Sequence, residues 1–352
     1  MNYILLFLLA TALSWILTWK IKNIMIHHRI IDKAKTETRK IHIKSTALGG
    51  GLAIYLTTAI VLSILYSTQV IGDVIGLRQL IGMVLGGGVI MGGGILDDKY
   101  RLKARWQLVF PIIASLIIIV SGIGVNIITN PFGGTVNLAG LVVPVDGFGN
   151  IVFFADVLLF IWLMTMMFTT KLLDGLDGLV TGIVLIGAVV LFFLSLQEQW
   201  YNPDVAYLAI IFAGACLGFL KWNWFPAKIF LGEGGSLFAG FMLAIIAIMS
   251  SGKIAIALLV MGFPMLDMAR VIIRRIQKHK PIFEGDNEHL HFKLLHSGLN
   301  QKQAVLLFYT ISLLFGTTAL FLQSHQQIIA LLLLGILMLL ISLWFSLKEQ
   351  HT

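Results

Sequence analysis

Along this chain the apolar positions neither alternate with polar ones nor recur at the spacing of a half-buried helix. They gather into continuous runs of roughly 20 residues, broken where charges, Gly or Pro cluster. Eleven such runs are read as helices, at residues 3–19, 46–67, 78–96, 107–125, 151–169, 179–196, 203–220, 236–251, 254–272, 303–322 and 328–346. Their length suits the hydrocarbon core of a bilayer. The pattern therefore predicts an all-α integral membrane protein of about eleven transmembrane helices, folded as a single polytopic domain over residues 1–352. The first run has no charged leader and no small-residue cleavage site, so it is expected to be a retained helix. Residues 126–150 form the main external loop. Val136, Leu138 and Leu141 to Val145, flanked by Gly133-Gly134 and Gly147, are compatible with one short β-hairpin there. Gly86-Gly87-Gly88 and Gly92-Gly93-Gly94 follow no strand, so they are no dinucleotide fingerprint; they are expected to allow close helix packing.

Composition narrows the class. The 352 residues are 58% hydrophobic and 12% charged, against about 45–50% and about 25% for a soluble domain. A soluble enzyme, a disordered chain and a disulfide scaffold are excluded; the one cysteine, Cys216, lies inside an apolar run. The net charge of +8 fits cytoplasmic anchoring and anionic ligands better than nucleic acid. With the 20–45 loop in the cytoplasm and the runs alternating from there, every Lys and Arg except Arg78 and Lys253 falls on or beside the cytoplasmic face. The positive-inside rule then puts the N-terminus outside and the C-terminus in the cytoplasm of a cell inner membrane.

The carboxylates are equally lopsided. Of 17, five lie on or near the outer face: Asp73, Asp146, Asp156, Glu198 and Asp204. The others sit in cytoplasmic loops or at cytoplasmic helix ends, where a charge is costly unless paired or solvated. Asp97-Asp98 closes the third run; it is either a polar turn or an acid pair that cannot fully ionise cheaply without a cation. Asp174 and Asp177, in Lys171-Leu-Leu-Asp-Gly-Leu-Asp-Gly, share one side of a helical turn, with Asp177 as an N-cap the plainer alternative. Glu233 stands in Gly232-Glu-Gly-Gly-Ser236, a glycine-rich entry to a helix that would suit an anion unless Ser236 merely caps it. Asn223 and Lys228 lie just upstream. Arg270, Arg274, Arg275, Lys278 and Lys280 precede Asp286-Asn-Glu-His-Leu-His291. His289 and His291 would share a face only in an extended segment, and no third zinc ligand accompanies them. Acid clusters ringed by basic loops at a membrane face suit a divalent cation bridging phosphates, which predicts phosphoryl chemistry on a lipid.

These residues resemble the polyprenyl-phosphate N-acetylhexosamine-1-phosphate transferase family, which includes the phospho-MurNAc-pentapeptide translocases. The likeness runs from Asp32 through Arg39-Lys40-Ile-His42, Gly49-Gly50-Gly51, Asp97-Asp98, Asp174-Gly-Leu-Asp177-Gly-Leu, Asn223-Trp-Phe-Pro-Ala-Lys228 and Gly232-Glu-Gly-Gly-Ser236. It ends on Pro264-Met-Leu-Asp267, Arg274-Arg275 and Asp286-Asn-Glu-His289-Leu-His291. It implies a reaction dependent on Mg2+, with Mn2+ as substitute, between a UDP-sugar and a polyprenyl phosphate, releasing UMP. UDP-GlcNAc is the expected donor, ahead of UDP-GalNAc or a bacillosamine-like sugar, and undecaprenyl phosphate the expected acceptor. A homodimer is compatible with it. The roles implied are Glu233, Asp174 and Asp177 at the metal, and Asp97 and Asp98 toward the lipid phosphate. Lys171, Arg274, Arg275, His289 and His291 meet phosphate or sugar, Arg39, Lys40 and His42 attract the anionic substrates, and Asn223 is a polar contact in the pocket wall. Three departures stand out: Lys171 where the family has Asn, Glu233 where it has Asp, and Phe292 in place of the last His of its His-X-His-His motif. A charged Lys has no lone pair for a metal. The competing class is a polyprenyl-lipid binding or transport protein that kept the fold and lost the chemistry.

Overall fold

The computed structural model describes residues 2–32, 45–125, 127–129, 134–138, 140, 142–145, 149–250, 254–279 and 289–350. Helices α1 (Tyr3–His27), α2 (Gly51–Ser67), α3 (Leu77–Tyr100), α4 (Ala104–Val120), α5 (Phe153–Leu173), α6 (Leu179–Ser195), α7 (Pro203–Asn223), α8 (Gly232–Met249), α9 (Ile254–Gln277), α11 (Gln301–Ala319) and α12 (Ser324–Gln350) lie on the eleven predicted runs. Between α9 and α11 sits the short α10 (Leu290–His296). Six helices, α1, α3, α5, α7, α8 and α9, are long and apolar enough to cross a membrane; α2, α4, α6 and residues 325–341 of α12 are apolar over shorter lengths.

The bundle is built around α8 and α7, whose apolar stretches are 89% and 78% buried, whereas α1 turns most of its apolar surface outward. Ile4, Leu339 and Phe321 are among many large apolar side chains left open on the rim. In water such a surface would drive association; against lipid tails it needs no cover. Local signals start several helices. Asn202 accepts from the Val205 amide ahead of Pro203, and Asn300 with Gln303 forms a capping box for α11.

Among the described residues, three strand pairs accompany the helices: β1 (Ile31–Asp32) with β2 (Thr46–Ala47), β3 (Ile127–Thr129) with β4 (Thr135–Asn137), and β5 (Val142–Val145) with β6 (Gly149–Val152), all antiparallel. The external loop thus holds two hairpins where one was expected, because β5 finds its partner in residues just before α5.

The helices overrun the apolar runs at one end. α3 continues to Tyr100 through Asp97-Asp98, α7 reaches Asn223, and α8 starts at Gly232, four residues before the predicted span. Hydropathy marks where the apolar environment stops, while backbone hydrogen bonding continues into a polar setting. Here α2, α3 and α8 come together without side chains between them. A Cβ on Gly94 would lie 2.0 Å from the Gly234 nitrogen, and one on Gly51 would lie 2.1 Å from the Gly235 Cα. The close packing expected of the third run is therefore present. Beside it, Phe230 donates its amide to Ala47 and Gly50 donates to Phe230, stitching the entry to α2 onto the entry to α8.

Candidate functional site

Polar side chains meet where α3, α5, α7 and α8 end or begin. Asp98, in the last turn of α3, accepts the Glu233 backbone N–H through Oδ1 at 3.1 Å. It thereby caps α8 from another helix, where the helix dipole favours a negative charge. Its Oδ2 is buried and has no hydrogen-bond partner among the described residues. Gly232, at φ +76°, makes room for it: a Cβ there would lie 2.3 Å from that oxygen. Ser236 does not cap α8 as one reading expected; its hydroxyl donates back to the Gly232 and Glu233 carbonyls. Nor is Asp97-Asp98 a loop turn, since both lie inside α3. Asp97 accepts through Oδ1 from the Leu102 amide at 2.7 Å and from Gln107 Nε2 at 3.0 Å, tying down the α3–α4 turn.

Asp174 follows the last residue of α5. It opens to water, yet protein crowds it. That crowding, then repulsion from Glu233, Asp98 and Asp177, pushes its carboxyl up to about 8. Because water still reaches the group, the repulsion is the more secure cause. Asp177 is not the N-cap of α6, a place taken by Gly178 without a side-chain bond. Its Oδ2 instead accepts the Ala227 amide at 2.9 Å, holding the α7–α8 turn. Asn223 is buried and braces the same region: its Oδ1 accepts from Gly178 N and Thr181 Oγ1, and its Nδ2 donates to the Ile229 carbonyl. With its amide so engaged, Asn223 shapes the wall from behind. Tyr309, on α11, donates its hydroxyl to the Gly178 carbonyl at 2.5 Å and completes the clamp on the 174–178 loop.

Lys171 forms an ion pair with Glu233 Oε1. Its Nζ also donates to Gln107 Oε1 at 2.9 Å. Two of the three side chains by which the chain departs from its family resemblance are therefore partners.

On the α9–α10 side, Asp267 gathers three donors: Arg270, the Leu290 amide and His289 Nδ1 at 3.0 Å. His289 and His291 share a side without an extended segment, because His289 precedes α10 and its ring stacks on His291 at 5.6 Å with 9° between planes. His291 is fully enclosed, with neither ring nitrogen hydrogen-bonded to any described residue; a Cβ on Gly175 would lie 2.2 Å from its Nε2. Burial, then the charge of His289, lowers its pKa to about 3, so the ring is neutral. Arg275 is buried and Arg274 half-buried on α9. Arg39, Lys40 and His42 lie outside the described residues, as do Lys280 and Asp286 to Glu288.

Most of the described site residues thus fall into two groups, with Asp177 and Asn223 bracing the loops behind them and Arg274 and Arg275 on α9. Asp97, Asp98, Lys171, Asp174 and Glu233 belong to one acidic cluster, and His289, joined to Asp267, leads through His291 to Gly175 at its edge. Gln107, Asp267 and Tyr309 had no role assigned from sequence. Asp267 stood within a quoted motif; for the other two, the decisive partners, Lys171 and Gly178, are 64 and 131 positions away.

Among the described residues, no three His, Cys, Asp or Glu side chains are arranged to hold a metal ion unaided. The donor set nevertheless fits magnesium, which commonly takes one or two protein carboxylates and fills its shell with water and substrate phosphate. Asp98 Oδ2 lacks a partner, and Asp174 is crowded by like charges that a cation would offset.

Comparison with known proteins identifies the family. The sequence pattern described as glycosyl transferase family 4 matches residues 80–251. A Bacillus subtilis (strain 168) protein named "Probable undecaprenyl-phosphate N-acetylglucosaminyl 1-phosphate transferase" is 28% identical over 95% of this chain and 88% of its own. A Mycobacterium tuberculosis decaprenyl-phosphate N-acetylglucosaminephosphotransferase is 30% identical over 86% of this chain and 78% of its own. A Halalkalibacterium halodurans phospho-N-acetylmuramoyl-pentapeptide-transferase is 35% identical over 44% of this chain and 46% of its own. With a lipid-facing bundle, an acidic cluster at one end and relatives spanning most of its length, the chain belongs to glycosyl transferase family 4, among the polyprenyl-phosphate N-acetylhexosamine-1-phosphate transferases.

Proposed function

We propose that the protein transfers a sugar-1-phosphate, GlcNAc-1-phosphate first among candidates, from a UDP-sugar to a polyprenyl phosphate at the cytoplasmic face of the inner membrane. The observation that carries this reading is the cluster of Asp98, Asp174 and Glu233 around Lys171 at one end of an apolar bundle. An oxygen of the lipid phosphate attacks the sugar-bearing phosphorus of the donor. The bond from that phosphorus to the oxygen of the nucleoside phosphate breaks, UMP leaves, and a lipid pyrophosphate-sugar remains. A lipid phosphate near neutral pH is already mostly deprotonated, so the site needs little base. Positioning and charge neutralisation supply most of the acceleration in such transfers.

Asp98 and Asp174 are the carboxylates that would hold magnesium, which supplies charge neutralisation on the phosphates when bound. Glu233 is neutralised by Lys171 and joins that shell only by exchanging its partner. Lys171 contacts a phosphate oxygen. Asp97 holds the α3–α4 turn on the lipid side, and Asp177 keeps the α7–α8 turn beside the nucleotide. His289, Arg274 and Arg275 face the pyrophosphate or sugar. Asp267 orients His289.

Purified protein incubated with radiolabelled UDP-sugars, undecaprenyl phosphate and magnesium tests the reading. Label passing to lipid with release of UMP supports it. The internal Lys171–Glu233 pair favours one rival, a lipid-binding or transport protein, which would bind the lipid without releasing UMP. The face is tested separately. A cysteine placed at position 38 or 284 should resist an impermeant thiol reagent in intact cells while one at position 140 reacts; reversed labelling overturns the orientation.

A further inference from the structure

The acidic cluster contains a neutral side chain whose placement is as specific as that of the charges. Gln107, in the first turn of α4, reaches two neighbours of opposite sign. Its Oε1 accepts from Lys171 Nζ at 2.9 Å, while its Nε2 donates to Asp97 Oδ1 at 3.0 Å and to the Leu102 carbonyl at 3.2 Å. The two ends of a carboxamide are not interchangeable here. Turned over, the amide would set its NH2 against an ammonium and its oxygen against a carboxylate and a carbonyl, so the neighbours fix one orientation.

The link joins two parts of the site that share no backbone. Asp97 belongs to α3 and Lys171 to α5, and among the described residues the side-chain hydrogen bonds that join them run through Gln107. Lys171 has three N–H donors. One serves Gln107 and one Glu233; the ammonium also lies over the Phe168 ring, 5.7 Å from its centroid, and among the described residues no third hydrogen-bond acceptor meets it. Two fixed acceptors restrict the long Lys side chain, which otherwise loses rotamer freedom on meeting a ligand. Its remaining N–H is then already placed for a phosphate oxygen.

We infer that Gln107 is a positioning residue, which holds the Lys171 ammonium at a set distance from the Asp97 side of the site so that it meets a substrate phosphate without rearrangement. This rests on the phosphoryl-transfer reading for its catalytic consequence, but the placement of Lys171 can be measured without catalysis. Gln107→Leu removes both links. Gln107→Glu keeps an acceptor for Lys171 and loses the donor to Asp97.

The test uses the full-length protein in detergent or nanodiscs. Competitive amine labelling, read residue by residue by mass spectrometry, reports the freedom of Lys171. Gln107→Leu should raise its labelling about threefold or more and Gln107→Glu should not, as expected for loss or retention of a charge-assisted bond. In the transfer assay Gln107→Leu should lower turnover about tenfold in the wild-type background and have little further effect in Lys171→Met, because residues acting through one another are non-additive. Unchanged Lys171 labelling in Gln107→Leu overturns the inference, as does strict additivity with Lys171→Met. If the wild-type protein transfers no sugar-phosphate at all, the functional reading falls, and the labelling comparison alone decides the positioning role. Should Gln107→Leu fail to fold, equal Lys171 labelling in wild type and Gln107→Glu supports the role, and a rise in Gln107→Glu overturns it.

Discussion

Two buried carboxylates at opposite ends of the bundle show what separates a structural acid from a reactive one. Asp204, in the first turn of α7, is 3% exposed, and one oxygen accepts three backbone N–H groups, from Gly72, Val74 and Ile75 at 2.8–3.1 Å. It fastens the α2–α3 loop to the start of α7. Among the described residues, Asp98 has a single backbone donor on one oxygen and none on the other, with Glu233, Asp97 and Asp32 as negative neighbours. A carboxylate supplied with donors is complete. One left among like charges is complete only when a cation or its phosphate complex arrives.

The comparison breaks most visibly through activity. Asp98→Asn and Asp174→Asn should each lower sugar-phosphate transfer by roughly 100-fold or more, the usual scale for a lost transition-state contact, while size-exclusion profiles stay unchanged. Asp97→Asn and Asp177→Asn should also impair transfer; any of the four that keeps wild-type turnover has no part in the reaction. Asp204→Asn should do the opposite. Weakening three bonds to one charged acceptor should cost about 1.5–3 kcal/mol in stability, read by thermal or denaturant unfolding, with turnover per folded molecule kept. A folded Asp204→Asn protein without activity would end the distinction between the two ends.

The Lys171–Glu233 pair sharpens it further. Lys171→Asn and Glu233→Asp should each impair transfer, and the double variant should recover part of the loss, because contacting residues couple by about 0.5–3 kcal/mol. A transfer-rate cycle with strictly additive effects would make the ion pair incidental. The smallest effect is one of pH. Asp174 is held at about 8, above its ordinary value, so it contributes stability that is fully present below about pH 4 and lost as pH rises through about 8. Asp174→Asn should therefore melt higher than the metal-free wild type above that pH. Metal binding requires the ionised group, so Mn2+ affinity by calorimetry should rise toward about pH 8 in the wild type and flatten in the variant. A pH-independent affinity in both would remove Asp174 from the metal.

The sequence made the helices legible because a bilayer demands long uninterrupted apolar runs, and it made the acids legible because so few charges compete for notice. It did not reveal where helices end. Asp98 and Glu233 are helical residues, not loop residues, and only that placement lets one cap the other's helix. The capping roles assigned to Ser236 and Asp177 failed for a related reason: a helix N-terminus can be satisfied by a side chain from elsewhere in the fold, as α8 is by Asp98. Gln107 looked like the first residue of an apolar run, and Tyr309 like one aromatic among many. The contacts that give them a role, Gln107 with Lys171 and Tyr309 with Gly178, are tertiary.

The bare contact of Gly94 with Gly234 and Gly51 with Gly235 has a mechanical consequence. Surfaces that meet backbone to backbone have no side-chain rotamers to yield, so α2, α3 and α8 resist sliding and act as a stiff floor. The opposite wall is joined differently. α10 is fastened to α9 through the Asp267 carboxylate and to the α5–α6 loop by ring packing of His291 over Gly175, contacts that can part and re-form. Compliance is therefore concentrated on the α9–α10 side. On the proposed reading, a bulky sugar nucleotide would displace that wall more readily than the floor, whose carboxylates keep their spacing.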